Sequence, residues 1–297
     1  MLLSIIIVSY NTKKLLEDCL QSLFGFNQSR DFEVIVVDNA SNDESIEMLK
    51  KKFKQVKIIE NKQNLGFGKA NNLGVCQAAG RYVLLLNSDT RFKDGVIDKI
   101  INERLHHQSL KNKVLGIKLI NENGTIQPSV GFFPNFTRIL MQMFFLDDLP
   151  LVKNFYRPYQ QNNLAFYQTK QKPDWVTGAF FLISKDNFNK VQGFDEHIFM
   201  YGEEVDLCFR LQKVKVEVEF NPAWEIYHLK GKSSQDGFEA AVLGEYKGLV
   251  TFYEKHYSGK MNYLKFILKI GALIRILLFS FLNKEKAKVY QKAWKII

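Results

Sequence analysis

Short apolar runs alternate with helical patterns through the first half of the chain, the arrangement that builds a mostly parallel sheet with helices on its faces. Leu3 to Ser9 reads as a mainly apolar strand, and Leu15, Leu16, Cys19, Leu20, Leu23 and Phe24 then recur at helical spacing. Phe32 to Val37 gives a second strand. Ser41 with Glu44 three residues later has the form of a capping box, which predicts a helix from about Asn42 to Phe53. Val56–Glu60 predicts a third strand, Lys69–Ala79 a helix, and Tyr82–Leu86 a fourth strand that runs into Asn87-Ser88-Asp89.

Polar clusters therefore follow three strand ends: Tyr10-Asn11, Asp38-Asn39 and Asn87-Ser88-Asp89. Ligands of open α/β sheets bind at such carboxyl ends. Beyond the hairpin turn Asn121-Glu122-Asn123-Gly124 the pattern becomes irregular and aromatic from Phe132 to Phe166. Regular structure resumes with a strand from Trp175 to Ser184, a short helix, and Gly193-Phe194-Asp195-Glu196. A helix is predicted from Glu203, with Leu207, Leu211 and Val214 on its apolar face, and a strand around Val216 to Phe220. Neither a repeat nor a low-complexity linker interrupts the chain. The expected organisation is one α/β domain over 1–235, followed by a basic helical region over 236–297.

At 297 residues the chain can bury a substantial core without disulfides. Cys19, Cys76 and Cys208 are far apart and form no Cys-x-x-Cys pair, so they are expected to be buried small apolar residues in a reducing compartment. Met1–Val8 has no basic leader or cleavage site and reads as a strand, which predicts a cytoplasmic protein. The net charge of +10 suits anionic partners. Its location narrows them: from Met261 onward there are eight Lys or Arg and one acid, Glu285. A nucleic-acid partner is not expected, because the basic residues lie in an apolar tail and do not interleave with stacking aromatics.

An acid at one strand end can accept from a base-ring imide or a ribose hydroxyl, while an acid at the next can hold a cation against a diphosphate. Either acid alone would be an ordinary cap or loop residue. Asn64-Leu65-Gly66-Phe67-Gly68-Lys69-Ala70-Asn71 offers Gly-x-Gly-x-x-Asn after the third strand, so it fails as a dinucleotide fingerprint. It remains a tight turn whose helix start can present amides to an anion. Glu203-Glu204-Val205-Asp206 opens a helix, where acids are favoured by the dipole whatever else they do.

Six segments in order, Ser4–Asn11, Val37–Ser41, Asn64–Gly68, Leu86–Asp89, Trp175–Ala179 and Tyr201–Asp206, resemble the family-2 glycosyltransferases of the GT-A fold, and most of all their bacterial rhamnosyltransferase-like branch. The resemblance covers about residues 4–230 and implies a nucleotide-binding half over about 1–120 and an acceptor half over about 121–235. It implies an inverting glycosyltransferase in which Ser9, Tyr10, Asn11 and Asp38 receive the nucleoside, with Asn64, Gly66 and Asn71 on the glycine loop. Asn87-Ser88-Asp89 stands where the family keeps Asp-x-Asp, so Asp89 and, farther on, His228 are the implied ligands of Mn²⁺ or Mg²⁺. Asn87 departs from that motif and leaves one carboxylate. Trp175, Gly178 and Asp206 would belong to the acceptor side. Glu204 would be the general base, with Glu203 as its rival, since Glu replaces the commoner Asp.

The implied donor is a dTDP- or UDP-linked sugar, with dTDP-rhamnose first, and the implied acceptor is lipid-linked or a polysaccharide. A non-catalytic nucleotide-sugar-binding subunit is the contrasting reading, prompted by Asn87. The segment Lys265–Leu282 is long and apolar but broken by Lys269 and Arg275, which disfavours a spanning helix. An amphipathic helix on the inner face of the cell membrane is expected instead, with Lys284, Lys286, Lys288, Lys292 and Lys295 near anionic head groups. The contrasting partner for this tail is the catalytic domain or a second copy of the chain.

Overall fold

The computed structural model describes residues 1–153, 155–229 and 237–297. The strands are β1 (Leu3–Ser9), β2 (Phe32–Asp38), β3 (Lys57–Glu60), β4 (Tyr82–Asn87), β5 (Thr90–Arg91), β6 (Lys113–Ile120), β7 (Ile126–Gln127), β8 (Val130–Gly131), β9 (Trp175–Val176), β10 (Phe180–Ser184) and β11 (Glu217–His228). The helices are α1 (Lys13–Phe26), α2 (Ser45–Lys52), α3 (Phe67–Cys76), α4 (Val96–Ile100), α5 (Phe136–Met143), α6 (Pro150–Lys153), α7 (Lys185–Lys190), α8 (Glu203–Lys213), α9 (Gly237–His256), α10 (Met261–Leu282) and α11 (Lys284–Ile296).

The main sheet has the order β3-β2-β1-β4-β10-β6-β11-β5, with β7 paired to β6. Its first four strands are parallel, and β10 is antiparallel to both neighbours. Side chains alternate between two cores, as a sheet covered on both faces requires. Leu3, Ile5, Ile7, Val34, Val36, Leu84 and Leu86 pack under α1, α2 and α4, whereas Ile6, Ile35, Val37, Val83 and Leu85 join the other core, with α3 and α8. The architecture is thus the expected mixed α/β sheet of GT-A type.

Several expectations are corrected. The second helix starts at Ser45, not Asn42, because Ser41 and Asp43 are used to hold the neighbouring loop. Ser41 N–H donates to Asp38 Oδ2 at 2.9 Å, its Oγ accepts from Asn11 N–H at 2.9 Å, and Asp43 Oδ2 accepts from Lys13 N–H at 2.7 Å. The strand expected over Trp175–Ser184 is broken at Thr177–Ala179, and its first part pairs with β8 in a separate two-stranded sheet. β11 does not stop at Phe220 but continues through an irregularity at Asn221/Glu225 to His228. Cys19 and Cys208 are buried, as expected, but Cys76 is exposed at the end of α3.

The carboxyl-terminal helices are packed against α5 and α8. Val242, Leu249, Phe252, Leu264, Leu268 and Ala272 join the same core as Phe133, Ile139 and Leu207. Buried Arg275 closes this contact, donating to the carbonyls of Met143 (2.8 Å), Gly271 (3.1 Å) and Gln142 (3.0 Å). Among the described residues no helix is long and apolar enough to cross a membrane. The boundary expected near residue 235 lies outside the described residues.

Candidate active site

The register of the sheet brings the three strand ends together. Ser9 lies opposite Asp38, and Val8 lies opposite Asn87. Asp38 is 3% exposed. One carboxylate oxygen accepts from Ser41 N–H, while the other, Oδ1, is buried without a hydrogen-bond partner. Leaving such an oxygen unpaired costs free energy that a donor group on a ligand would recover. The hydroxyls of Ser9, Thr12 and Ser88 form a chain with steps of 2.9 and 3.1 Å, tying the β1 end to the β4 end.

Asn11 has a left-handed backbone (φ 52°), and its Oδ1 accepts from Asn42 N–H at 2.8 Å. Tyr10 beside it is exposed. The glycine loop is braced by its own asparagines: Gly66 N–H donates to Asn64 Oδ1 at 2.9 Å, and Asn71 Nδ2 donates to Phe67 O at 3.0 Å. Gly66 has φ +80°, and a Cβ there would stand 2.5 Å from Phe199 O, so no side chain is tolerated.

Asp89 and His228 meet across the β5–β11 pairing, where Thr90 faces His228 and Leu229 N–H donates to Asp89 O at 2.8 Å. The orientation of the imidazole is fixed from behind. Gln127 Nε2 donates to Asn121 Oδ1 at 2.9 Å, which turns Gln127 Oε1 toward His228 Nδ1 at 2.5 Å. Nε2, the other ring nitrogen, stands 3.2 Å from Asp89 Oδ1. Asn87 Nδ2 lies 3.3 Å from the same Nε2. A carboxylate and an imidazole held by an outer hydrogen-bond partner are a donor set that suits Mn²⁺. The groups present thus fit a divalent ion, although among the described residues no cluster of three or more His, Cys, Asp or Glu suited to a metal is found.

Glu203 and Glu204 begin α8, after two successive left-handed residues, Tyr201 (φ 70°) and Gly202 (φ 95°). This turn sits directly on α9. A Cβ on Gly248 would meet Tyr201 O at 2.6 Å, and one on Gly244 would meet the Tyr201 ring at 2.0 Å. Glu203 is buried, and burial together with the adjacent Glu204 charge pushes its carboxyl well above the usual range. Burial raises Glu204 as well, opposed by backbone amides that include Gly178. That amide connects the acid pair to the other strand ends, since Asn87 N–H donates to Ala179 O at 3.3 Å. A carboxylate whose proton affinity is raised by burial has the chemistry of a general base.

Two acceptor-side candidates lie elsewhere. Trp175 is buried against Tyr159, with ring centroids 5.8 Å apart, and its Nε1 donates to Phe132 O. Asp206 is fully buried on another face of α8, bound by Arg210 Nε (2.7 Å), Lys255 Nζ (2.9 Å) and His256 Nε2 (2.7 Å). Burial opposes its charge, but these three partners outweigh it and hold the carboxyl below its usual range. Asp206 thus ties α8 to α9. Sequence reading missed Thr12 and Gln127, whose positions carry no pattern of their own; only the folded hairpin brings Gln127 behind His228.

Residues 4–110 match the family described as glycosyl transferase family 2, and residues 161–232 match the N-terminal domain of galactosyltransferase. An N-acetylglucosaminyl-diphospho-decaprenol L-rhamnosyltransferase of Mycobacterium tuberculosis is 26% identical over 273 residues, which cover 86% of this chain and 85% of that protein. Rhamnosyltransferase WbbL of Escherichia coli is 37% identical over 68 residues, 23% of this chain. Among solved structures, GalNAc-T7 with UDP, GalNAc and Mn²⁺ superposes with a TM-score of 0.62 at 17% identity, covering 88% of this chain and 49% of that one. TarS of S. aureus gives 0.54 at 20% identity, covering 95% of this chain and 44% of that one. The chain spans about half the length of these two structures, and the likeness is one of fold.

Proposed function

We propose that this chain, which belongs to the family-2 glycosyltransferases and to their rhamnosyltransferase-like branch, moves rhamnose from dTDP-rhamnose to a lipid-linked or polysaccharide acceptor with inversion at the anomeric carbon. The observation that carries this reading is the run of Asp38, Ser9, Asn87, Ala179 and Gly178 along one end of the sheet, with Glu204 beside the Gly178 amide. The chemistry follows from that run.

Asp38 Oδ1 would accept from the imide of a thymine or uracil ring or from a ribose hydroxyl, and Ser9, Tyr10 and Asn11 would line the same nucleoside. Asp89 and His228 would hold Mn²⁺ or Mg²⁺, which when bound neutralises charge on the departing diphosphate. Glu204, deprotonated, would take the proton of the acceptor hydroxyl as it attacks opposite the diphosphate. A single displacement inverts the centre. Gly178 would position Glu204 through its amide, and Glu203 would keep the local charge low by retaining its own proton.

The lipid-linked acceptor is supported by the decaprenol-linked substrate in the name of the mycobacterial relative. With it comes a peripheral location on the inner face of the cell membrane. A UDP-sugar donor is the second reading, favoured by the UDP of the GalNAc-T7 structure. A thermal-shift panel of dTDP-, UDP- and GDP-sugars with and without Mn²⁺ tests both, since a ligand that binds the folded state raises its melting point. A dTDP-sugar shift that grows with Mn²⁺ is expected; a shift with GDP-sugars alone would overturn the donor assignment.

A further inference from the structure

Phe67 opens α3, yet it is engaged from outside that helix. Its N–H donates to Phe199 O at 3.2 Å, and its ring meets the Phe194 ring edge-on, with centroids 5.9 Å apart. The same ring closes on Gly178. A Cβ built there would stand 2.8 Å from Phe67 Cζ and 2.9 Å from Cε1, and the three nearest atoms all belong to Phe67. The backbone of Gly178 is not left-handed, so the Phe67 ring, and not conformation, excludes a side chain at this corner.

These contacts reach from the Asp38 strand end to the acid pair. Behind Phe67, Gly66 O accepts from Asn39 Nδ2 at 3.2 Å, and Asn39 follows Asp38 at the end of β2. Asn61 Nδ2 holds Asn39 Oδ1 in turn at 2.9 Å. Ahead of Phe67, residues 193–202 are fastened to α3 by Asn72, which bonds both the N–H and the carbonyl of Phe194 at 2.9 and 3.0 Å. They then pass Phe199 and end in Tyr201 and Gly202, where α8 begins with Glu203 and Glu204. Gly178, the residue that the ring covers, also presents its amide to the Glu204 carboxyl. Phe67 therefore touches both supports of the acid pair, the segment that leads into it and the corner that faces it.

We propose that Phe67 is a positioning residue for the reaction, fixing where Glu204 stands relative to the nucleoside end of the sheet through its ring on Gly178 and its amide on Phe199. This rests on Glu204 as the base proposed above, and it gives the glycine loop a task separate from donor contact. Glu204 has a flexible side chain and two successive left-handed residues behind it, so its place depends on what packs around that turn. A base must come within about 2.6–3.2 Å of the proton it takes, and a misplacement of about 1 Å costs on the order of 100-fold.

The test compares wild type, Phe67→Leu, Gly178→Ala, the double variant Phe67→Leu/Gly178→Ala, and Glu204→Gln. Leucine lacks the Cε and Cζ atoms that face Gly178 but keeps an apolar side chain and the backbone N–H. Hydrolysis of dTDP-rhamnose and of UDP-sugars in Mn²⁺ gives kcat, with water in place of the acceptor hydroxyl. Calorimetric titration gives dTDP and UDP affinity, and melting temperature reports folding. Phe67→Leu should lower kcat about ten-fold or more while nucleotide affinity stays within about two-fold of wild type. Gly178→Ala should lose a similar factor because its methyl meets the ring, and the two losses should not multiply in the double variant, where that obstacle is gone. Losses that multiply, or a fall in nucleotide affinity equal to the fall in kcat, would make Phe67 an ordinary packing or donor-site residue and overturn the inference. Full turnover in Phe67→Leu with loss in Glu204→Gln would overturn it too, leaving the base assignment intact. Full turnover in Glu204→Gln, or no hydrolysis by the wild type, would instead defeat the reading on which it rests.

Discussion

His228 Nε2 stands 3.2 Å from Asp89 Oδ1, with its other ring nitrogen committed to Gln127 at 2.5 Å. Gln127 holds the ring in this orientation. Gln127→Ala should lower Mn²⁺ affinity by about 10–100-fold, the usual effect of removing an outer partner of a histidine ligand. Manganese titration of donor turnover checks this. An unchanged midpoint would remove Gln127 from the positioning role.

Asp38 presents one buried oxygen with no hydrogen-bond partner. A ligand donor bonded to a charged acceptor contributes about 1.5–3 kcal/mol, so Asp38→Ala should weaken dTDP or UDP binding by about 10–100-fold. Calorimetric titration of the free nucleotides measures this without an acceptor. Equal affinity in the two proteins would exclude Asp38 from the nucleoside contact.

Glu204 carries the proposed proton transfer. Glu204→Gln should cut turnover by about 10²–10⁴-fold while nucleotide affinity persists. Burial raises the carboxyl, so the acid limb of the wild-type kcat/KM profile should lie above the ordinary glutamate value of about 4.3, activity being lost as pH falls through the raised value. A limb at the ordinary value, or near-normal turnover of the variant, would transfer the role elsewhere.

Glu203 makes a prediction about stability. Its carboxyl is held well above the usual range by burial and by Glu204. Above the ordinary glutamate pKa the unfolded chain has released this proton while the folded chain keeps it, so stability falls as pH rises toward the folded value. Glu203→Gln should therefore raise the melting temperature at about pH 8 more than at about pH 5. An equal or inverted effect would show that this carboxyl is not strained by its surroundings.

Much of the fold was readable along the chain. The apolar runs Leu3 to Ser9, Phe32 to Val37 and Tyr82 to Leu86 appear as strands within a residue of the expected ends, because both sheet faces are covered and successive residues are committed to opposite cores. The α2 start was misread because Ser41, apt as a cap, is engaged by Asn11 and Asp38 from outside its own helix. The Trp175–Ser184 run was misread because apolar residues feed two different sheets on either side of Gly178. In the proposed site, Asp38 and Asp89 stand at or just beyond the ends of β2 and β4, as the strand pattern placed them, while their roles came only from the family resemblance. Asp206 could not be separated from Glu203 and Glu204, since its partners Lys255 and His256 lie about fifty residues away on α9. Arg275 looked like an interruption of an apolar helix. Only packing reveals it as the cap of α5.

The proposed convergence of Asp38, Asp89 with His228, and Glu204 on one cation-bridged sugar nucleotide is tested most directly by donor hydrolysis, which needs no acceptor. Wild type and Asp89→Asn are assayed with dTDP-rhamnose and with UDP-sugars, in Mn²⁺ and in chelator. Hydrolysis by the wild type that requires Mn²⁺, and its loss in Asp89→Asn, is the expected result. Full activity of Asp89→Asn in chelator would contradict it.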